Sequence, residues 1–281
     1  MQDFALDIPL GRIHGLRTGT AGAPRVLALH GWLDNAASFV PLAPRLPGIE
    51  LVAPDLPGHG RSVHLPRGTD YSFAGAVHHV LDIADALGWD RFALLGHSMG
   101  AGIASLVAAG APDRIERLVA IEALGALPDT VGNTVPRLRD AVAATRALPG
   151  KRLRVFPDLA PAIRARMQAN ELSEAVARLL VERGTTPVEG GYAWCSDPRL
   201  TLPTMVRMTD AQVDALVRGI ECPTRVVYAS PPQPYLPEPD RSRRARLLSD
   251  GDLFVVPGGH HLHMEDPATV AGLVGDFLAG G

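Results

Sequence analysis

The sequence predicts an α/β fold, a mostly parallel β-sheet with helices packed on both of its faces. Short, continuously apolar runs, which are typical of strands buried on both sides, recur along the chain. They alternate with longer runs whose apolar residues repeat at helical spacing. With 281 residues, 46% of them hydrophobic and 20% charged, the chain is large and apolar enough to bury an extensive core.

Composition also narrows the classes of partner and cofactor. The net charge is −3 and no basic block occurs, which argues against nucleic acid or an anionic membrane as a partner. Cys195 and Cys222 give neither a disulfide framework nor a C-x-x-C metal pattern, so we predict no cofactor and no metal. Residues 1–10 lack the features of a signal peptide, and no apolar run reaches transmembrane length. We therefore expect a cytoplasmic location.

The first elements are strands. Residues 2–8 and 11–17 predict two short strands that form an antiparallel hairpin. Residues 25–30 are continuously apolar and predict a strand buried on both faces. A helical stretch follows to about Leu46, and residues 49–54 predict the next strand.

The middle of the chain continues the alternation. Residues 71–87 present apolar side chains on one face and precede Gly88, a natural residue at the end of a helix. Residues 92–110 begin as a buried strand and continue as an alanine-rich helix, and residues 114–122 predict another strand. This order of elements is typical of a parallel sheet covered on both sides.

The alternation stops between about residues 126 and 207. This segment contains proline-punctuated amphipathic helices, such as 135–148 and 160–183, an irregular stretch at 190–199, and no convincing buried strand. We interpret it as a helical insertion. The predicted division of the chain is a core of residues 1–125 and 208–281 and an insertion of residues 126–207.

Beyond the insertion the sheet pattern resumes. A capping box opens a predicted helix over residues 210–218, and strands are predicted at 224–229 and 252–257. Residues 231–240, between these strands, form a proline-rich loop, and a closing helix is predicted over 267–278.

The junction within residues 92–110 carries Gly96-His97-Ser98-Met99-Gly100, a G-x-S-x-G pattern. Between a buried strand and a helix, this pattern predicts a nucleophile elbow, a strained turn that raises the serine hydroxyl above the sheet. Glycine is needed on both sides because a side chain there would collide with the neighbouring strand or helix. Ser98 is therefore the candidate nucleophile.

A serine hydroxyl needs a base, usually histidine, to become nucleophilic at neutral pH. In an open parallel sheet, ligands bind at the carboxyl ends of the strands, so the base should follow a strand. His260 lies in the turn directly after the last predicted strand, in the chain order nucleophile, acid, base. His261 would face elsewhere, and His263 would pack near the start of the last helix. We predict His260 as the base.

The acid must lie at a strand end and accept the imidazole N–H. Glu238 and Asp240 are remote from the end of the strand at 224–229 and could return to it only through the bend of the proline-rich loop. Glu122 ends the strand that follows the elbow, where an unpaired carboxylate would be costly to bury unless a histidine lay beside it. We favour Glu122, with Asp240 and Glu238 as alternatives.

An oxyanion hole needs two backbone N–H groups aimed at one point. Met99, the first residue of the helix after the nucleophile, is predicted to supply one of them. Trp32, in the turn after the strand at 25–30, is predicted to supply the other. These assignments depend on position alone, because the side chains take no part.

Together these motifs resemble the α/β-hydrolase superfamily. The resemblance spans nearly the whole chain in order, through His30-Gly31-Trp32, residues 55–62 (DLPGHGRS), the pentapeptide at 96–100, and Gly259-His260 with Glu265 and Pro267 beyond. Within the superfamily, residues 30–39 (HGWLDNAASF) and 260–267 (HHLHMEDP) are similar to the branch called serine hydrolase-like proteins.

The resemblance implies an eight-stranded, mostly parallel sheet with a helical cap, here residues 126–207, inserted after the sixth strand. One subgroup of haloalkane dehalogenases carries a glutamate at the end of the sixth strand, and Glu122 falls on that position. Those enzymes use an aspartate nucleophile where this chain has Ser98, which argues against dehalogenation and epoxide opening.

We therefore expect a serine hydrolase that cleaves an ester or related acyl bond of a small molecule. Ser98 would attack, His260 would carry the proton, Glu122 would orient His260, and the N–H groups of Trp32 and Met99 would hold the oxyanion. Two alternatives remain open. One is hydrolysis of a carbon–carbon bond on the same triad. The other is a ligand-binding protein with weak or no activity, suggested by the missing acid after the strand at 224–229.

Overall fold

The computed structural model describes residues 1–148 and 154–280. That part of the chain contains ten β-strands: β1 (Gln2–Ile8), β2 (Gly11–Thr18), β3 (Arg25–Leu29), β4 (Glu50–Pro54), β5 (Phe92–His97), β6 (Ile115–Ile121), β7 (Thr185–Val188), β8 (Gly191–Trp194), β9 (Thr224–Ser230) and β10 (Gly251–Pro257). Eight of them form one sheet, in the spatial order β1-β2-β4-β3-β5-β6-β9-β10.

The sheet is mostly parallel. Strand β2 runs antiparallel to both of its neighbours, β1 and β4, whereas the other neighbouring strands run parallel to one another. At the centre, His97 at the end of β5 is in register with Ile121 at the end of β6. The predicted eight-stranded α/β sheet is confirmed, and the residues that follow β5 and β6 emerge side by side at its carboxyl edge.

The described ranges also contain nine α-helices: α1 (Phe73–Ala86), α2 (Met99–Gly110), α3 (Thr134–Ala147), α4 (Ala160–Asn170), α5 (Glu174–Gly184), α6 (Asp210–Arg218), α7 (Asp240–Ala245), α8 (Leu262–Glu265) and α9 (Pro267–Ala279). Within those ranges, none has the combination of length and apolar character required to cross a membrane.

Helices cover both faces of the sheet because the side chains of each central strand alternate between two apolar cores. In β5, Leu94 packs into one core with residues of α1, α2 and α6. Leu95, on the opposite face, packs into the other core with α9 and the short 3₁₀ turns Ala36–Phe39 and Ala43–Arg45. Successive side chains of a central strand point to opposite faces of the sheet, and both faces are buried. Every position of such a strand is therefore apolar, which explains the continuously apolar runs in the sequence.

The segment of residues 126–207 is not helical throughout. It holds α3, α4 and α5, but β7 and β8 form an antiparallel hairpin, which corrects the prediction of an irregular stretch at 190–199. Both strands are short and partly exposed, so they lack the buried apolar run that marks the other strands. The Gly190-Gly191 pair between two β-favouring runs was the available signal for the turn. Residues 149–153 of the segment lie outside the described ranges.

The predicted helix over residues 160–183 is also corrected, because two helices, α4 and α5, occupy this range. Glu171 adopts a left-handed conformation with φ of 54° and ends α4. Ser173 is extended and precedes α5. The break lets the two helices pack against each other around a small apolar core that includes Ile163 and Leu180.

Buried polar contacts attach this segment to the sheet. Arg183 Nε in α5 donates to both carboxylate oxygens of Asp55, at 2.9 and 3.1 Å, and neither side chain is appreciably exposed. The indole N–H of Trp32 donates to the carbonyl oxygen of Leu200 at 2.8 Å. The segment therefore forms a fixed wall beside the carboxyl edge of the sheet.

Candidate active site

Ser98 stands on a strained turn between β5 and α2. Its φ is 52°, a conformation that L-residues rarely adopt, and its N–H donates to the carbonyl oxygen of Ile121 at 2.8 Å. A Cβ atom at Gly96 would lie 2.4 Å from the Cα of Ala101, and one at Gly100 would lie 2.0 Å from the carbonyl oxygen of Leu29. Both approaches are too close for a side chain, so the helix and strands that hold Ser98 can meet only at glycine.

His260 connects Ser98 to Glu122. It lies in the turn between β10 and α8, with Nε2 2.9 Å from Ser98 Oγ. Its other ring nitrogen, Nδ1, lies 3.0 Å from Oε2 of Glu122. The structure thus brings together three residues that the sequence separates by 138 and 162 positions, in an unbroken hydrogen-bonded series. This arrangement allows a proton to move from the serine to the imidazole while the carboxylate fixes the ring.

The carboxylate of Glu122 is buried, with only 3% of the residue exposed, and both of its oxygens have hydrogen-bond partners. Its Oε1 accepts hydrogen bonds from the N–H of Ala229 at 2.5 Å and from Nη2 of Arg241 at 3.1 Å. Arg241, from α7, is itself buried and also donates to the carbonyl oxygen of Ala229. The sequence reasoning missed Arg241, whose guanidinium balances the charge of Glu122.

The alternative acids point to other partners. Glu238 accepts hydrogen bonds from the N–H and hydroxyl of Ser242, and Asp240 lies 3.5 Å from Arg243. Among the hydrogen bonds and ion pairs of the described residues, neither acid contacts His260. The geometry favours Glu122 as the partner of the imidazole.

The two residues predicted to supply oxyanion N–H groups border the same cavity as Ser98. Met99 is the first residue of α2, so its N–H has no acceptor inside the helix. Trp32 follows β3, and its indole is anchored to the carbonyl of Leu200 as described above. The oxyanion role of Trp32 and Met99 remains a prediction.

The cavity has a volume of about 510 Å³. Apolar side chains from the sheet edge, α1, α2 and the segment of residues 126–207 form much of its wall, among them Leu56, Phe73, Ile103, Leu127, Leu200 and Leu202. Ser98 and His260 therefore face a compartment suited to a small molecule with an apolar portion.

Tyr235 is a further residue that the sequence reasoning missed. It lies in the proline-rich loop after β9 and borders the cavity, with its hydroxyl 3.3 Å from Nδ1 and 3.5 Å from Nε2 of His260. Because the two distances are nearly equal, the hydroxyl is in line with neither nitrogen. Partial burial of the half-exposed Tyr235, assisted by the charge of Glu122, raises the pKa of its phenol to about 12, so the phenol stays protonated and can donate a hydrogen bond in the cavity.

A second carboxylate lies next to the site. Asp34, His97 and His261, named here the Asp34 cluster, are all buried, and Asp34 also contacts Arg166 of α4. Burial opposes ionisation of Asp34, but His261, His97 and Arg166 together hold the pKa of its carboxyl well below the usual range. Burial lowers the pKa of His97 to about 3, so its ring is neutral at physiological pH.

Comparisons with known proteins agree with this architecture. The family described as "alpha/beta hydrolase fold" matches residues 24–162. "Serine hydrolase-like protein" of Danio rerio is 30% identical, over 98% of this chain and 88% of that protein.

Two solved structures extend the comparison over the whole chain. The hypothetical protein PA1622 from Pseudomonas aeruginosa PAO1 is 40% identical with a TM-score of 0.92, covering 100% of this chain and 99% of that one. The "Thioesterase Domain From Curacin Biosynthetic Pathway" is 29% identical with a TM-score of 0.82, covering 98% and 99%. The chain belongs to the α/β-hydrolase superfamily, a family of hydrolases, and within it to the serine hydrolase-like branch.

Proposed function

We propose that the protein is a serine hydrolase that cleaves an ester or related acyl bond of a small molecule through an acyl-enzyme. The observation that carries this proposal is the series Ser98 Oγ, His260, Glu122, joined at 2.9 and 3.0 Å and bordering a largely apolar cavity. Membership of a hydrolase family supports the reaction class.

In the first half-reaction, Ser98 Oγ attacks the carbonyl carbon of the substrate and transfers its proton to Nε2 of His260. The positive charge that develops on His260 is balanced by Glu122, which accepts the N–H of Nδ1. The carbonyl oxygen, now negative, would be held by the N–H groups of Trp32 and Met99. When the tetrahedral intermediate collapses, Nε2 gives the proton to the leaving group and the acyl group stays on Ser98.

In the second half-reaction, a water molecule takes the place of the leaving group. His260 removes a proton from this water as it attacks the acyl carbon, and then returns the proton to Ser98 Oγ as the carboxylic acid departs. The Tyr235 hydroxyl, 3.5 Å from Nε2, is close enough to the path of this proton to hydrogen-bond the water or the leaving group.

The proposal includes residues 126–207 as a cap that shapes the substrate. Leu200, Leu202 and Thr204 border the cavity from this segment, and the indole of Trp32 is fixed to it. The buried ion pair of Arg183 with Asp55 holds the cap against the core. A mostly apolar wall favours an acyl chain or an aromatic group over a highly charged substrate.

A fluorophosphonate probe tests the nucleophile. The wild-type protein should be labelled, whereas Ser98→Ala should not. Ser72→Ala is the matched control, because Ser72 is another serine that borders the cavity, and this variant should be labelled like the wild type. Absence of labelling on folded wild-type protein would instead favour a ligand-binding protein of the same fold.

A panel of p-nitrophenyl esters of increasing acyl length then tests the substrate class. We expect kcat/KM to rise with acyl length while the chain fills the apolar cavity, and to fall once the chain exceeds it. Labelling by the probe without turnover of any ester would contradict ester hydrolysis as the reaction.

A further inference from the structure

The Asp34 cluster has the ligand geometry of a metal site. Oδ2 of Asp34 lies 3.2 Å from Nε2 of His261 and 3.6 Å from Nδ1 of His97, and the three atoms all lie within 4.8 Å of one another. In a tetrahedral zinc site with bonds of about 2.1 Å, ligand atoms are separated by about 3.4 Å. The two carboxylate–imidazole separations bracket that value.

The hydrogen bonding of His97 leaves a lone pair in the cluster. Nε2 of His97 lies 2.9 Å from the carbonyl oxygen of His260, which can only accept, so Nε2 carries the donated proton. Nδ1 is the nitrogen left to bind a cation; it is buried and has no hydrogen-bond partner within the described ranges. It faces Oδ2 of Asp34 across 3.6 Å, which is too long for a direct hydrogen bond. A cation would satisfy both atoms.

The surroundings leave access to these atoms and support them as ligands. A Cβ atom at Gly31 would lie 2.9 Å from Oδ2 of Asp34 and 3.0 Å from Nδ1 of His97, so glycine keeps the space beside both atoms open. Gly31 and the three cluster residues also border the cavity that contains Ser98, which gives an ion a way in. The hydrogen bond from Nε2 of His97 to a carbonyl is the support that metal-binding histidines usually have.

We propose that Asp34, His97 and His261 bind a transition-metal ion such as Zn²⁺, with a fourth coordination position open to the cavity. Asp34 would bind through Oδ2, since its Oδ1 is held by Arg166. His97 would bind through Nδ1 and His261 through Nε2. To bind the ion, His261 must release the proton from Nε2, and Nδ1, which has no partner in the described structure, is free to carry a proton instead.

A bound ion would inhibit the hydrolase. The ring centre of His260 lies 4.9 Å from that of His97 and 5.3 Å from that of His261. A divalent cation bound by His97 and His261 would repel the positive charge that His260 acquires when Ser98 attacks. This consequence rests on the proposed serine hydrolase function, whereas binding of the ion does not.

Binding is tested on Ser98→Ala protein, which removes the proposed chemistry, by calorimetric titration with ZnCl₂. We expect one high-affinity ion per chain, with affinity lowered at least tenfold in His261→Gln and in Asp34→Asn. His79→Gln is the matched control, because His79 borders the same cavity outside the cluster, and its affinity should be unchanged. No high-affinity binding to the parent protein, or binding by both cluster variants with the affinity of the parent, would overturn the proposal.

An independent measurement on the unaltered chain covers the case in which a cluster variant fails to fold. Electron paramagnetic resonance of the Cu²⁺-loaded wild-type protein should show couplings from two imidazole nitrogens. Coupling from a single imidazole, together with loss of binding in His260→Gln, would place the ion on Ser98 and His260 instead and reject the Asp34 cluster.

The inhibitory consequence has its own test. Zn²⁺ should reduce ester turnover by the wild type, EDTA should restore it, and the half-inhibitory concentration should rise at least tenfold in His261→Gln. Equal inhibition of both proteins would contradict the proposed effect. If no ester is turned over at all, the proposed function fails, while the titration and the resonance spectrum still decide on the metal site.

Discussion

Two carboxylate–histidine groups lie next to each other at the carboxyl edge of the sheet, and they differ in how completely their polar atoms are used. In the group of Glu122 and His260, both carboxylate oxygens and both ring nitrogens have hydrogen-bond partners, and the partner of Nε2 is the hydroxyl of Ser98. In the Asp34 cluster, Nδ1 of His97 and Nδ1 of His261 have no hydrogen-bond partner in the described structure. A carboxylate beside a histidine is thus not sufficient for catalysis, since the second nitrogen must also reach a nucleophile.

The two carboxylates also differ in where their arginine comes from. Glu122 pairs with Arg241, which follows β9 within the predicted core. Asp34 pairs with Arg166, which belongs to α4 in the segment of residues 126–207. The first pair therefore stabilises the candidate active site from within the core, while the second joins the proposed cap to the core.

The largest expected effect is that of Glu122→Gln on turnover. The oxygen of the new amide would stay with its two donors, Ala229 N–H and Arg241, so the NH₂ group would face His260. That group can only donate, which selects the imidazole tautomer that cannot accept the proton of Ser98. We expect kcat to fall by about 10³- to 10⁴-fold, measured with the best ester of the panel.

Asp240→Asn and Glu238→Gln are the matched controls for this change, since they alter the two alternative acids and should keep nearly full activity. Thermal unfolding of each variant shows whether a loss of activity reflects a loss of fold. If Asp240→Asn is the inactive variant and Glu122→Gln the active one, the assignment of the acid is wrong.

The corresponding change in the second group, Asp34→Asn, should act mainly on stability. It removes the counter-charge of Arg166, whose side chain is only 12% exposed, and breaking a buried pair in this way typically costs about 3–5 kcal/mol. Urea denaturation should show this loss, and the double variant Asp34→Asn with Arg166→Met should recover part of it. Unchanged stability, or a loss of kcat as large as that of Glu122→Gln, would remove the distinction between the two groups.

Stability should also depend on pH. Burial lowers the pKa of His97 and of His59 from 6.5 to about 3, so the folded protein keeps both rings neutral while the unfolded chain binds protons. The free energy of unfolding is therefore unaffected by these two histidines above about pH 6.5. It falls as the pH is lowered from 6.5 towards 3, by about 1.4 kcal/mol per pH unit for each histidine.

Urea denaturation at pH 7, 6 and 5 measures this slope. His59→Asn retains a donor at the position of Nδ1, which contacts the carbonyl of Pro57, but cannot take up a proton. The slope of this variant should be shallower than that of the wild type by the contribution of one histidine. An identical slope in both proteins would show that His59 is not held neutral by burial.

The sequence predicted the parts of the site that follow from topology. Ser98, Glu122 and His260 each follow a strand of the parallel sheet, so the order of the strands was enough to bring them to one edge. The geometry agrees with that placement, and their catalytic roles remain predictions for the variants above.

The remaining features depend on contacts between elements that are distant in the chain. Arg241 reaches Glu122 from a short helix after the proline-rich loop, and the Asp34 cluster combines residues from the turn after β3, the end of β5 and the turn after β10. The absence of a C-x-x-C pattern therefore could not exclude a metal site built from scattered histidines. In residues 126–207, the hairpin and the helix break at Glu171 depend on local backbone geometry that hydrophobic periodicity does not report.

The position of Glu122 at the end of β6 has a consequence for protein engineering. Because His97 and Ile121 are in register on adjacent strands, Ser98 and Glu122 emerge from one pair of neighbouring strands, and the loop after β9 supplies none of the residues Ser98, His260 and Glu122. That loop, residues 231–239, still brings Tyr235 to the cavity. It is the natural place to graft or randomise sequence in order to change which substrate enters the cavity, while the Ser98–His260–Glu122 series is left intact.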